Sequence, residues 1–280
     1  MNCSPITHIE AKPDFNANAA QFGESVQNEI YEPARTLGVR INRRLTPYRA
    51  RRLTNVKLER PIVSFSFDDC PKSAIDNALP ALEAQTWRGT VYLACGLFNI
   101  TNHLGLHMSA QDAQAIARNG HEIGDHTFSH FDALNRSKDI FQADINRNQE
   151  AFDTIGLPKA KTFAYPYGQT YGALKTALGQ TFTGLRGIAP QTHNKRVDLN
   201  QIGSYPLFSG SDQTRLIKAI ANLEHTSGWL TIFTHDVRDN PSAWGCTQND
   251  LDRVIKAVQA IDAQVLPVAD AITLLEKNNV

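Results

Sequence analysis

Four short stretches carry side chains able to do chemistry. The first, Ser66-Phe67-Asp68-Asp69-Cys70-Pro71, puts two adjacent carboxylates at the end of an apolar run. Two carboxylates so close are costly to keep ionised together, and a nearby cation or metal relieves the repulsion. One can then ligate the metal while the other stays free as a base. Asp and Pro after a strand also make ordinary turns, so this stretch alone leaves both readings open. The second is Gly124-Asp125-His126-Thr127-Phe128-Ser129-His130. Two histidines four apart converge on one ion if the chain between them makes a helical turn. With Asp69 on the same rim they form a facial set of two imidazoles and one carboxylate, leaving positions for water and substrate. The third, Phe163-Ala164-Tyr165-Pro166-Tyr167-Gly168, is a strand running into a tight turn that can aim a backbone N–H at a developing oxyanion. The fourth, Leu230 to Asp236, delivers His235 from an apolar strand, where an imidazole can protonate a leaving amine.

Strand-and-helix alternation must position these groups. Alternating apolar residues predict a strand over 62–67, with Val63, Phe65 and Phe67 on one face and Ile62, Ser64 and Ser66 on the other. A helix over 74–85 and a strand over 90–94 follow. Ser109 and Gly120 bracket the next helix as N-cap and C′ residue, and Ser137 and Gly156 do the same for another. Further strands are predicted over 162–165, 181–185, 201–204, 230–234 and 264–267, with helices over 212–225 and 248–261. Repeated strand-then-helix units imply a parallel sheet with helices outside. Seven or eight units in about 220 residues favour a barrel, whose functional groups sit where strands end and loops begin.

The chain has 280 residues with no net charge, which excludes a polyanion-binding or acidic disordered protein as a whole. The neutrality hides a basic stretch: nine arginines and lysines between Arg35 and Arg60 are opposed only by Glu59. No aromatic interleaving or clean amphipathic period is read there. The expectation is a solvated arm, or a strap whose arginines pair with carboxylates, with contact to an anionic surface as a further option. Prolines punctuate residues 1–57, which are taken as an N-terminal extension with one helix over 17–31; residues 58–280 form the barrel. No stretch reads as a signal peptide, transit peptide or membrane helix, and the four cysteines lack paired spacing. A cytoplasmic location with free thiols is the expectation, with no specific nucleic-acid partner; nothing in the sequence fixes an oligomeric state.

Together and in this order, the four stretches resemble the polysaccharide deacetylase family, also called the NodB homology domain or carbohydrate esterase family four. The resemblance runs from about Arg60 to Leu275. It implies an α/β fold, a distorted (β/α) barrel of about seven strands. It also implies Asp68 as general base, Asp69, His126 and His130 as metal ligands, the Tyr167 N–H as oxyanion donor and His235 as general acid. His121 would be structural. The implied cofactor is one divalent ion, zinc by default, with cobalt or nickel also suited; the implied substrate is an N-acetylated carbohydrate. Three departures stand out. Cys70 replaces the usual glycine, so the turn must accept a Cβ and the pocket floor would carry a thiol. Ala164 stands where many members have an arginine paired with the base. The acid that tunes the final histidine has only Asp198 as a candidate, by position. Two alternatives stay open: an amidohydrolase for a small cyclic amide or ureide on the same barrel, and a non-catalytic carbohydrate-binding relative. Residues 96–108 and 236–246 are expected to be substrate loops, with Trp244 either stacking on sugar or packing on the barrel.

Overall fold

The computed structural model describes residues 36–210 and 213–279; the helix predicted over 17–31 lies outside the described residues. Helix α1 (Leu37–Leu45) and strand β1 (Leu53–Asn55) precede β2 (Ile62–Asp68), α2 (Leu79–Glu83) and β3 (Thr90–Leu93). A hairpin of β4 (Thr101–Asn102) and β5 (Gly105–Leu106) leads into α3 (Ala110–Arg118), β6 (Glu122–Asp125), α4 (Lys138–Thr154) and β7 (Thr162–Ala164). Then come α5 (Gly172–Leu178), β8 (Gly184–Arg186), β9 (Thr192–His193), β10 (Arg196–Asp198) and β11 (Tyr205–Pro206). The chain ends with α6 (Thr214–Thr226), β12 (Trp229–Thr234), α7 (Gln248–Gln259), β13 (Gln264–Val265) and α8 (Val268–Lys277).

Seven strands run parallel in the spatial order β11-β12-β2-β3-β6-β7-β8. The sheet curls so that residues 202–206 span its edges. Ile202 bridges to Arg186 on β8, and Tyr205 pairs with Ile232 on β12. This is the distorted barrel of about seven strands that the family resemblance implied. The strand expected over 201–204 reduces to that bridge and the two residues of β11. The cause is local: the Gly203 N–H donates to His193 Nε2 and its carbonyl accepts from Thr231 Oγ1, so neither is free for a ladder.

Both faces of β2 are covered, and all seven of its residues are buried. Val63, Phe65 and Phe67 join the large core shared with the outer helices, whereas Ile62 joins a smaller core with Trp229, Ile202, Ile272 and Leu275. Ser64 and Ser66 are buried because each has a partner: the Trp229 Nε1–H at 3.0 Å and the Ile232 carbonyl at 2.8 Å. The helix predicted over 74–85 instead opens as a π-helical turn, Ala74–Ala78, before α2. Pro80 has no N–H for residue 76, so an unbroken α-helical ladder is impossible there. The predicted caps hold elsewhere. Ser109 and Asp112 form a capping box on α3, Ser137 caps α4, and Gly120 and Gly156 take positive φ.

The basic stretch is a strap rather than a solvated arm. Arg60 pairs with the Asp262 carboxylate at 2.7 Å as anticipated, but most of the strap's other contacts are to carbonyls and amides. Arg52 donates to the carbonyls of Gly179, Phe182 and Thr183, Arg43 Nε to Gln169 Oε1, and Asn42 to the Thr170 carbonyl. Buried Lys175 reaches back to the Thr46 carbonyl at 3.2 Å. Nor does the helical period fail: Leu37, Ile41 and Leu45 repeat every four residues on α1.

Candidate active site

Every strand that delivers a sequence-predicted group ends at the same mouth. Asp68 closes β2, and Asp69 and Cys70 follow it with φ of 58° and 57°. Two successive non-glycine residues in the left-handed region are costly, and such strain collects at functional turns. Cys70 does accept its Cβ there. Its thiol is not on the pocket floor as anticipated: Sγ lies 3.4 Å from the carbonyls of Phe67 and Tyr92, inside the main core. Burial, with Asp69 and Asp68 nearby, pushes its pKa up, so it stays a thiol.

Asp69, His126 and His130 offer three ligand atoms that all lie within 4.8 Å of one another. Asp69 Oδ1 is 3.4 Å from His126 Nε2 and 3.1 Å from His130 Nε2. The histidine pair does not converge through a helical turn, as its spacing had suggested. Thr127 and His130 adopt φ of 61° and 54° in a bend after β6, and the bend brings the rings together with centroids 4.9 Å apart. Side chains of α4 and β6 hold it. Ser129 gives both its N–H and its hydroxyl to Asp144, and the Thr127 N–H donates to Asp125. Gln149 grips the other oxygen of Asp125, whose pKa burial raises to about 7.

The protonation pattern calls for a cation. His126 Nδ1 is 2.8 Å from the Ala164 carbonyl, so Nδ1 carries the proton and Nε2 the lone pair. Burial, followed by the neighbouring His130, lowers its pKa to about 4, which keeps it neutral at neutral pH. For Asp69, burial alone would raise the pKa. The imidazoles of His130, His126 and His235 outweigh that and hold the carboxyl well below its usual range. A neutral imidazole lone pair thus faces a carboxylate oxygen that is buried without any hydrogen-bond donor. Two electron-rich atoms repel at that range unless a divalent ion sits among the ligands, and an Asp-His-His set of this compactness fits one.

Asp68 has a different neighbour. Its Oδ1 pairs with the guanidinium of Arg186, a fully buried residue at the end of β8. The guanidinium lies 5.1 Å from the Tyr92 ring centroid and 5.0 Å from that of Phe233. Tyr92 can lie across the barrel because β6 carries Gly124, where a Cβ would stand 2.4 Å from the ring. Sequence reasoning missed Arg186. It noted only that Ala164 lacks an arginine, yet Ala164 and Arg186 are register partners on β7 and β8. The usable signal was a lone arginine ending an otherwise apolar strand, Gly184-Leu185-Arg186.

His235 follows β12, with Nε2 4.0 Å from Asp69 Oδ2. Its Nδ1 lies 3.0 Å from the Trp244 carbonyl, so that nitrogen donates and Nε2 faces the site. Asp198 is not its partner: that carboxylate binds Lys175 and the Arg52 N–H on the strap side. Tyr167 adopts φ of 57° in the tight turn after β7, its ring edge-on to His130 at 4.4 Å. His121 is structural as expected, accepting the Gly89 N–H and meeting Glu83. The two loops expected to meet substrate touch each other. Arg238 donates to the His103 carbonyl, and the His103 and Trp244 rings meet edge-on at 5.6 Å.

Residues 55–184, just under half of the chain, match the family Polysaccharide deacetylase. No curated protein matches the sequence. Several solved structures match the fold. A peptidoglycan N-acetylglucosamine deacetylase superposes with a TM-score of 0.55 at 19% identity, covering 78% of this chain and 91% of its own. A family 4 acetyl xylan esterase from Clostridium thermocellum, in complex with cobalt, gives 0.52 at 19%, covering 76% and 91%. A family 4 pseudoenzyme from Bacillus anthracis gives 0.53 at 12%, covering 78% and 68%. By sequence over residues 55–184, and by fold over most of its length, the protein is similar to the polysaccharide deacetylases of carbohydrate esterase family four.

Proposed function

We propose that the protein is a metal-dependent hydrolase that removes the acetyl group from an N-acetylated sugar. The observation that carries this reading is the convergence of Asp69, His126 and His130, with one carboxylate oxygen lacking any donor. Those three residues would hold the ion: zinc by default, with cobalt or nickel also suited to the donors. When bound, it supplies Lewis-acid polarisation of the acetyl carbonyl and a lowered pKa for water in the site.

The chain's own groups divide the proton work. Asp68, paired with Arg186, accepts a proton from the attacking water as general base. The arginine fixes one carboxylate oxygen and leaves the other for that proton. His235 has its Nδ1–H committed to the Trp244 carbonyl, so only Nε2 can carry a proton to the departing nitrogen. The Tyr167 N–H is the proposed oxyanion donor, held by a turn in which Gly168 cannot bear a side chain against Ile188. Acetate release from N-acetylglucosamine oligomers and ring opening of cyclic ureides, each measured with and without chelator, test the reading. Release from the oligomers alone, abolished by chelator, is expected. Chelator-resistant hydrolysis of the ureides would overturn it.

A further inference from the structure

Helix α1 is built inside out for a helix resting on a globular domain. Its inward face is polar: Asn42 donates to the Thr170 carbonyl at 2.9 Å, Arg43 to Gln169 at 3.0 Å, and Thr46 is buried beneath Lys175. Its outward face is apolar. Leu37 is 72% exposed, Ile41 49% and Leu45 37%, and Tyr48 just beyond is 75% exposed. Water-facing apolar residues at four-residue spacing form a continuous stripe, where an ordinary surface helix turns that stripe to the core. A stripe of this kind marks a surface made to be covered.

Charge indicates what covers it. Arg40, Arg44 and Arg49 are exposed beside the stripe, and no acidic residue occurs between Thr36 and Leu58. A second copy of the chain, packed stripe to stripe, would bring these arginines against their own equivalents. Nucleic acid would satisfy the arginines but leave the leucine and isoleucine side chains in water. An anionic bilayer satisfies both, because the apolar face enters the headgroup boundary while flanking arginines meet phosphates. We infer that α1 is a membrane-surface helix that docks the protein on anionic phospholipid, with the barrel held on its polar inner face. The inference goes beyond the proposed hydrolysis and does not rest on it.

The test is sedimentation of the full chain with vesicles of phosphatidylcholine, or of phosphatidylcholine and phosphatidylglycerol in equal parts. Binding to the anionic vesicles alone, weakened by salt, is expected. The triple change Leu37→Ser, Ile41→Ser, Leu45→Ser should reduce it at least ~10-fold. Each of Arg40→Gln, Arg44→Gln and Arg49→Gln should reduce it about fivefold. Thermal stability and acetate release from a soluble substrate should be unchanged in all four variants. The inference is overturned by no vesicle binding, or by equal binding to neutral vesicles. It is also overturned if the parent forms dimers that the triple serine variant does not, since a second copy then covers the stripe. A marked fall in melting temperature in that variant overturns it too, because residues 1–35 would then be the cover.

Discussion

The two carboxylates at the end of β2 are adjacent in the chain and opposite in their needs. Asp68 is partnered from within: the buried guanidinium of Arg186 neutralises it between two aromatic rings. Asp69 faces the Nε2 atoms of His126 and His130, and its Oδ1 has no donor. One acid therefore has a buried guanidinium partner, while the other is surrounded by imidazoles. The difference shows how a pair of neighbouring acids can be given separate roles. In the proposed mechanism a fixed protein cation pairs with the acid that takes the proton, and the other acid is left to ligate.

The largest expected effect breaks the Asp69 half. His130→Ala, or exhaustive chelation of the parent, should lower acetate release to below about a thousandth of the parental rate. Asp68→Asn removes the proposed base without touching the ligands. It should cost at least ~100-fold in kcat with metal content unchanged, and near-normal turnover would remove Asp68 from that role. Arg186→Met tests whether the Asp68 half depends on its own cation. Leaving that carboxylate buried and unpaired should destabilise the fold by roughly 3 kcal/mol in denaturant unfolding and lower kcat about tenfold. Ala164→Arg, added to Arg186→Ala, sharpens the point, because the two positions are register partners. Recovery of part of the activity is expected if charge beside Asp68 is what matters.

The smallest effect concerns a buried imidazole outside the mouth. Burial lowers the His193 pKa to about 4 from 6.5, while the Gly203 backbone hydrogen bond partly opposes the shift. Between those values the unfolded chain binds the proton and the folded one does not, so stability falls as pH drops from about 6.5 to about 4. The stability of the parent relative to His193→Gln should decline by up to about 3 kcal/mol over that window, read from denaturant midpoints at each pH. A divalent ion should leave this decline unchanged, since His193 is not among the candidate ligands.

The convergence of Asp69, His126 and His130 was legible because apolar runs mark strand ends and the histidine spacing is local. The barrel was legible because β2, β3, β7 and β12 announce themselves by burial-grade sequence. Arg186 was not, since its partner lies 118 residues away and only the curl of the sheet brings β8 to β2. The partner of His235 is a main-chain carbonyl, which no residue type reveals, so a search for a carboxylate settled on Asp198 and missed Trp244. The outward stripe of α1 went unread because its arginines dominated the composition. Its inversion appears only once Asn42 and Arg43 are seen to face inward.

Metal stoichiometry tests the central claim most directly. Calorimetric titration of chelator-treated protein with zinc should give one site per chain, and Asp69→Ala, His126→Ala and His130→Ala should each abolish it. Zinc should also raise the melting temperature of the parent alone. No divalent ion binding, or binding that survives all three substitutions, would contradict the account.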